Sequence, residues 1–414
     1  MRARRLAAAA VLLLAAADPV RAQAVPAGPP TGEGMTATLV TVGLGREVFE
    51  RFGHNALWFH DARTGQDVVY HWGLFSFNEP HFIARFLTGD THYWMGGEDA
   101  RALLASERSS GRPITLQHLA LTPGQVAHLR QFVSWNARDE NKFYRYDYFR
   151  DNCSTRLRDA LDLALDGALK RATDTLRTAL TYRRESVRLT DGDRPLQLGI
   201  DIALGRPADV PLTVWQSFFI PMRLRDALRD LRVPNESGAL VPVMSSEQTI
   251  PVPAGITPIP ELRHSPRLAV RTFVLGLLLA AVVVGLRIMS MSRRSAAWGL
   301  ALFSGLWSLL CGVLGIILLL AWIATQHVFW ASNENVLLLT PFSLFLAVLA
   351  PAAILSHRFV VAASRLASIV AALAVLACVM AIVGMQENRA VVALFLPVHL
   401  ALWWALRTAH SARA

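Results

Sequence analysis

The sequence predicts an α+β exported domain followed by an all-α membrane bundle, on three observations. The 414 residues are 53% hydrophobic and 17% charged, against roughly 25% charged in ordinary soluble domains. Apolar runs crowd the last third, at 268–286, 296–323, 336–355, 366–385 and 390–406, each near the ~20 residues that cross a bilayer core. A short apolar run at 6–17 follows Arg2, Arg4 and Arg5 at the start. The net charge of +10 divides unevenly: residues 23–267 carry 28 Lys+Arg and 28 Asp+Glu, while residues 268–414 carry nine Arg and two Glu. The exported part is neutral, so nucleic acid is not an expected partner.

Residues 1–22 read as a signal peptide, with small residues at Val20 and Ala22 suited to cleavage. Residues 35–238 read as the exported domain. Alternating β-branched residues predict strands at 36–42, 53–59 and 68–74, with a further one at 114–119. The stretch Asp61-Ala-Arg-Thr-Gly65 supplies a turn between the second and third. Thr122-Pro-Gly-Gln125 is a capping box that opens a helix. Residues 167–238 look mostly helical. The Pro-rich stretch 239–267 reads as a stiff linker, and residues 268–414 as a transmembrane bundle of five helices. The predicted inner segments hold Arg287, Arg293, Arg294, Arg358, Arg365, Arg407 and Arg413, and the outer loops hold Arg389. That asymmetry places the C-terminus inside and the first domain outside.

Three cysteines cannot form a disulfide framework when Cys311 and Cys378 lie in apolar spans and Cys153 lies in the exported domain. Asp151 or Asn152 is a good N-cap for a helix ending near Gly167. Cys153 then occupies the first turn, where free N–H groups and the helix dipole favour a thiolate with a pKa below ~8.5. It shares the inward stripe of Leu157, Leu161, Ala164 and Leu165. From this helix alone an inert filler and a nucleophile stand level. The histidines tilt the balance, since a thiol nucleophile needs a base and the base an orienting group. If the 61–65 turn centres near Arg63 and Thr64, His54 and His71 share one face of a hairpin; a slip of one residue would separate them. Cys153, His54 and His71 lack the close spacing of zinc motifs, so neither a metal nor a cofactor is expected.

These residues carry a resemblance. Gly53-His-Asn-Ala-Leu57, Tyr70-His-Trp-Gly-Leu-Phe-Ser-Phe77, Gly89-Asp-Thr-His-Tyr93 and Tyr146-Asp-Tyr-Phe-Arg-Asp-Asn-Cys-Ser-Thr-Arg156 resemble, in this order, the Lnb-type periplasmic domain. That domain is similar to permuted papain-like (NlpC-type) amidases and acyltransferases, in which His precedes Cys. The family includes a lipoprotein N-acyltransferase with the same layout. The resemblance implies Cys153 as nucleophile and His54 as base. Members often carry Asn where this chain has His71, which leaves the group orienting His54 open. Asn152 and Arg156 of the Cys153 motif are expected to bind substrate. The loop carrying His327, Asn333 and Asn335 resembles one in the family and is expected to grip a lipid headgroup or the acceptor, or else to cap helices at the interface.

The expectation is a cysteine-dependent acyltransferase of the inner membrane, multi-pass, with its catalytic domain facing the periplasm. Its partners would be the membrane, a phospholipid donor and a lipoprotein acceptor. The alternatives are an exported papain-like amidase or peptidase acting on cell-wall peptides, for which the spans would be unnecessary, and a non-catalytic envelope sensor.

Overall fold

The computed structural model describes residues 32–235, 237–261 and 268–411. The signal-peptide reading of residues 1–22, and Arg413, lie outside the described residues.

The first domain is built on a seven-stranded antiparallel sheet of order β6-β4-β3-β2-β1-β5-β9. Its strands are β1 (Met35–Val42), β2 (His54–Asp61), β3 (Gln66–Leu74), β4 (His92–Asp99), β5 (Ile114–Leu119), β6 (Phe143–Arg145) and β9 (Met244–Ile250). A separate pair joins β7 (Arg232–Pro234) to β8 (Leu240–Pro242). The central strands are buried on both faces, as their near-continuous apolar runs require. Ala37 and Leu39 of β1 enter one core with α3 (Pro123–Asn136), α4 (Cys153–Ala164) and α9 (Pro221–Asp230). Val40 and Val42 enter a second core with Ala100 and Leu103 of α2 (Ala100–Ser109). A short helix α1 (Phe82–Thr88) lies between β3 and β4.

Both capping signals operate. Thr122 and Gln125 bond reciprocally at the start of α3, with Pro123 at its first position. Asn152 caps α4, so Cys153 opens that helix. Beyond it come α5 (Ala168–Thr173), α6 (Tyr182–Leu189), α7 (Arg194–Ala203) and α8 (Val214–Ser217). The expected linker begins later than the prolines suggested. Residues 244–250 join the sheet beside β5, because a strand edge satisfies their backbone groups better than an open tether.

The second part is helical: α10 (Leu268–Met289), α11 (Arg294–Ala324), α12 (Ser343–Leu355), α13 (Val360–Val383) and α14 (Arg389–Ser411). Four of these are long and apolar enough to cross a membrane. The fifth expected span, 336–355, is only partly helical: α12 has 13 residues, or ~20 Å at 1.5 Å per residue, against a ~30 Å core. Ahead of it runs a 3-10 turn, Glu334–Leu337, and then Pro341. This irregular backbone is enclosed by protein, with Leu338 and Leu339 fully buried. His399 of α14 bonds the Leu338 carbonyl at 2.9 Å, so a neighbouring helix satisfies part of this non-helical backbone. Small residues let the helices meet: a Cβ on Gly276 of α10 would lie 2.6 Å from the Ala393 carbonyl oxygen of α14.

The two parts are clamped where α7 ends. Asn333 donates to the Ile202 and Ala203 carbonyls at 2.8 and 2.9 Å, and Asn335 to those of Asp201 and Ile202 at 3.2 and 2.9 Å. From the first domain, Arg183 donates to the Asp201, Leu204 and Gly205 carbonyls and pairs with Asp201 and Asp209. The Gly205 N–H bonds the Phe329 carbonyl at 2.8 Å, and a Cβ there would lie 1.9 Å from the Ala331 oxygen. Gly205→Ala should therefore weaken the clamp by about 1–3 kcal/mol, an overpacking cost. Limited proteolysis of the full chain in detergent should cut faster at the 325–335 loop while far-ultraviolet dichroism stays unchanged; equal cutting would refute the clamp.

Candidate active site

The hairpin register answers the question left open by the sequence. Ala56 pairs with His71, and Asp61 with Gln66, so the turn centres between Arg63 and Thr64. His54 and His71 share a face and meet, Nε2 to Nδ1, at 2.9 Å. The other ring nitrogen of His71 faces the Glu98 carboxylate at 3.0 Å. Glu98 is two residues beyond Gly96, the partner of His71 on β4, so three adjacent strands present the row His54–His71–Glu98 on one face. Glu98 escapes sequence inspection because Gly96-Gly97 masks β4 as a strand.

Cys153 approaches from the other side of the sheet, on the first turn of α4, within the core of Leu57 and Trp72. Asn55, next to His54, anchors this helix start by donating to Ser154 Oγ at 3.0 Å. Gly73 is two residues past His71 and has a positive φ of 88°. A Cβ there would lie 3.5 Å from Cys153 Cβ and 3.6 Å from the Tyr146 ring. The thiol thus sits where β3 departs from regular pairing, between His71 and Leu74. The hydrogen bond of His54 goes to His71, not to Cys153.

Electrostatics revise the expected thiolate. Burial pushes the Cys153 thiol up; the backbone N–H groups of Asn55 and Ser154 and the charge of Arg112 pull it back only in part. The first-turn amides are present as expected, but desolvation outweighs them. Burial, then His71 and Arg112, hold His54 well below its ordinary value. At rest the Cys153 thiol and the His54 imidazole are both held neutral. Arg112 is itself buried, bonded to the Gly43 carbonyl and to Glu107, with Nη2 unpartnered. The Tyr144 hydroxyl is buried near the Gly73 N–H, its pKa raised well above the ordinary value by burial and then by Cys153. Nothing in sequence spacing marks Arg112, a lone charge before β5.

The other expected site residues are occupied elsewhere. All four hydrogen-bonding positions of the Asn152 side chain are used, by Ser154, Thr155, Tyr148 and Phe219 backbone groups. It is a helix cap rather than a ligand group. Arg156 pairs with Asp151 and lies 4.2 Å over the Tyr144 ring. Asn333 and Asn335 belong to the clamp, and His327 bonds the Phe86 carbonyl at 2.9 Å while stacking on Trp330. A cleft of about 510 Å³, lined by Phe149, Arg158, Trp215 and Phe329 among others, includes neither Cys153 nor the histidines. Among the described residues no three His, Cys, Asp or Glu side chains cluster to hold a metal ion.

Two family models match the chain: the Lnb N-terminal periplasmic domain over residues 33–183 and the Lnb transmembrane domain over residues 266–411. The chain therefore belongs to the Lnb family, with both of its domains in order, as the motif series implied. No curated protein and no solved structure matches it.

Because the folded-state pKa of His54 is depressed, its contribution to stability is present above ~6.5 and lost as pH falls toward the folded value. Below ~6.5 the unfolded chain gains a proton that the native site refuses, at up to ~1.4 kcal/mol per pH unit. The melting temperature in detergent should fall more steeply from pH 7 to 5 for the parent than for His54→Gln; parallel curves would refute a buried neutral His54. Iodoacetamide labelling of Cys153 should likewise have its midpoint above ~8.5.

Proposed function

We propose that this Lnb-type chain is a cysteine-dependent acyltransferase with a permuted papain-like first domain. It would move an acyl chain from a phospholipid, through a Cys153 thioester, to an amine, the α-amino group of a lipoprotein's N-terminal cysteine. The thiol-plus-imidazole chemistry rests on one observation: a buried thiol at a helix start, anchored through Asn55 beside the first member of the row His54–His71–Glu98. The lipid donor and lipoprotein acceptor rest on family membership and on the membrane bundle.

In the proposed cycle His54 takes the thiol proton as Sγ attacks the ester carbonyl. The ester C–O bond breaks, and the same proton passes to the departing lysophospholipid oxygen. The acceptor amine then attacks the thioester, gives a proton to His54, and expels the thiolate, which recovers it. The Cys153 N–H, the first-turn amide that the Asn152 cap does not take up, and the Tyr144 hydroxyl would be the donors to the developing oxyanion. His71 and Glu98 hold the imidazole and spread its charge. A hydrogen bond from thiol to His54 would form only as substrate docks, a common tightening in such sites.

We further propose five membrane crossings in the inner membrane, the segment 336–342 completing the span of α12, with the first domain in the periplasm. The unequal distribution of Arg supports this. Reporters fused after Arg294 and after Ser411 should be cytoplasmic, and one at Asn333 exported; an exported C-terminus would overturn the count.

Incubating the full chain with phosphatidylethanolamine in detergent should yield lysophospholipid and an acyl adduct on Cys153 by intact mass. Cys153→Ala should abolish both, and His54→Ala should slow adduct formation by roughly 10²–10⁴-fold. Glu98→Gln should slow it by a smaller factor while leaving the melting temperature in place. Lysophospholipid without an adduct would exclude the covalent route, and peptide cleavage without lipid turnover would favour an amidase.

A further inference from the structure

The surface around α1 is apolar and largely exposed. Phe77 and Ile83 are each 63% exposed, Phe49 55% and Leu87 54%. None of the seven residues of α1 is buried, although five of them are apolar. A contiguous patch of this kind on an exported domain marks a contact with another apolar phase.

Its depth is fixed by the bundle. The helix α11 has 31 residues, or ~46 Å at 1.5 Å per residue, enough to run from one headgroup layer to the other. It starts at Arg294 and still presents Trp322 and Ile323 outward in its last turn, Ile323 at 68% exposure. Directly beyond that end, the Gln326 N–H bonds the Thr88 carbonyl at 2.8 Å, and His327 bonds that of Phe86. Arg145 donates to the Gln326 carbonyl at 3.1 Å. The patch is therefore held at the end of α11, next to the turn that presents Trp322 and Ile323 outward.

From this patch an unbroken row of rings leads inward. Phe86 lies 6.3 Å from Phe82, which stacks on Phe75 at 5.7 Å. Phe75 stacks on Tyr93 at 5.1 Å, and Tyr93 on Tyr146 at 4.3 Å. Tyr146 and Cys153 Cβ are the groups that would meet a side chain at Gly73.

We infer that α1 and its neighbours Phe49 and Phe77 are seated among the acyl chains of the outer leaflet. They form a lip over which a phospholipid acyl chain passes along the ring row toward Cys153. The lipid contact stands on exposure and depth; the destination of the chain rests on the acyltransferase reading. Continuity with the α11 surface favours lipid over a second protein.

The test uses the full chain in nanodiscs of phosphatidylethanolamine and phosphatidylglycerol. Benzoylphenylalanine replaces Phe77, Ile83 or, as control, Leu240, which is 65% exposed on β8. Each is made in the parent and in Cys153→Ala. After irradiation, phospholipid adducts by intact mass should form at positions 77 and 83 in both backgrounds, at least about tenfold above position 240. Equal yields at all three positions, no adduct at 83, or cross-links to a second chain would overturn the inference. A second arm compares Cys153 acylation by bilayer phospholipid with that by a water-soluble short-chain ester; Phe77→Glu/Ile83→Glu should lower the ratio about tenfold, and an unchanged ratio would remove the route. Lipid adducts on a protein that takes no acyl group from either donor would sink the acyltransferase reading and leave the lipid contact standing.

Discussion

Arg183 and the end of α7 hold this molecule together. A helix ends with carbonyls that have no partner of their own. Here they are divided between the two halves of the chain, Arg183 taking Asp201, Leu204 and Gly205 from one side and Asn333 and Asn335 taking Asp201 to Ala203 from the other. The guanidinium is fully buried, so its charge must be met, and Asp201 and Asp209 meet it. Leaving one member of such a cluster unpaired costs about 3–5 kcal/mol. The junction is thus closer to a folded core than to a hinge, and the first domain has one orientation on the bundle. Further bonds lock it, among them Gln386 to the Leu204 carbonyl and the bidentate pair of Arg184 with Glu387.

That fixed orientation gives the candidate site its meaning. A thiol domain on a loose tether would sample many heights above the bilayer; this one brings α1 to the end of α11. The clamp and α1 both grip the 325–335 loop, one from each side. His327, Asn333 and Asn335 of that loop, for which the sequence leaves a headgroup grip and a helix-capping role open, hold the two domains in register.

Much of this was legible in the sequence. The strands at 36–42 and 114–119, the Thr122 capping box and the cap of α4 rest on local chemistry that tertiary packing does not override. The pairing of His54 with His71 followed from turn chemistry, since antiparallel register propagates from the turn. Glu98 was hidden because the glycines that let β4 lie close against β3 also weaken its strand signal. Arg112 was hidden because its importance comes from burial, which no spacing reports. The thiol was read as acidic since helix starts lower a pKa, but the inward stripe that put Cys153 on the core face also desolvated it, and desolvation is the larger effect. The third apolar run looked like a full helix because hydropathy does not register Pro341 or the bonds from His399 that stabilise its unwound part.

A neutral, buried thiol suits chemistry in an exported domain. A free thiolate there would be open to oxidation, and desolvation suppresses it. On the proposed reading, proton transfer to His54 accompanies attack instead of preceding it, so the imidazolium exists only while the oxyanion does. The row of groups explains how that brief cation is tolerated in a buried place. Its charge is shared through the Nε2–Nδ1 bond to His71 and ends on Glu98, whose side chain is 42% exposed. One end of the row, at His54, is dry, and the other is wet enough to exchange a proton with water. On that reading the stabilising carboxylate need not be desolvated to do its part, while the thiol itself stays buried.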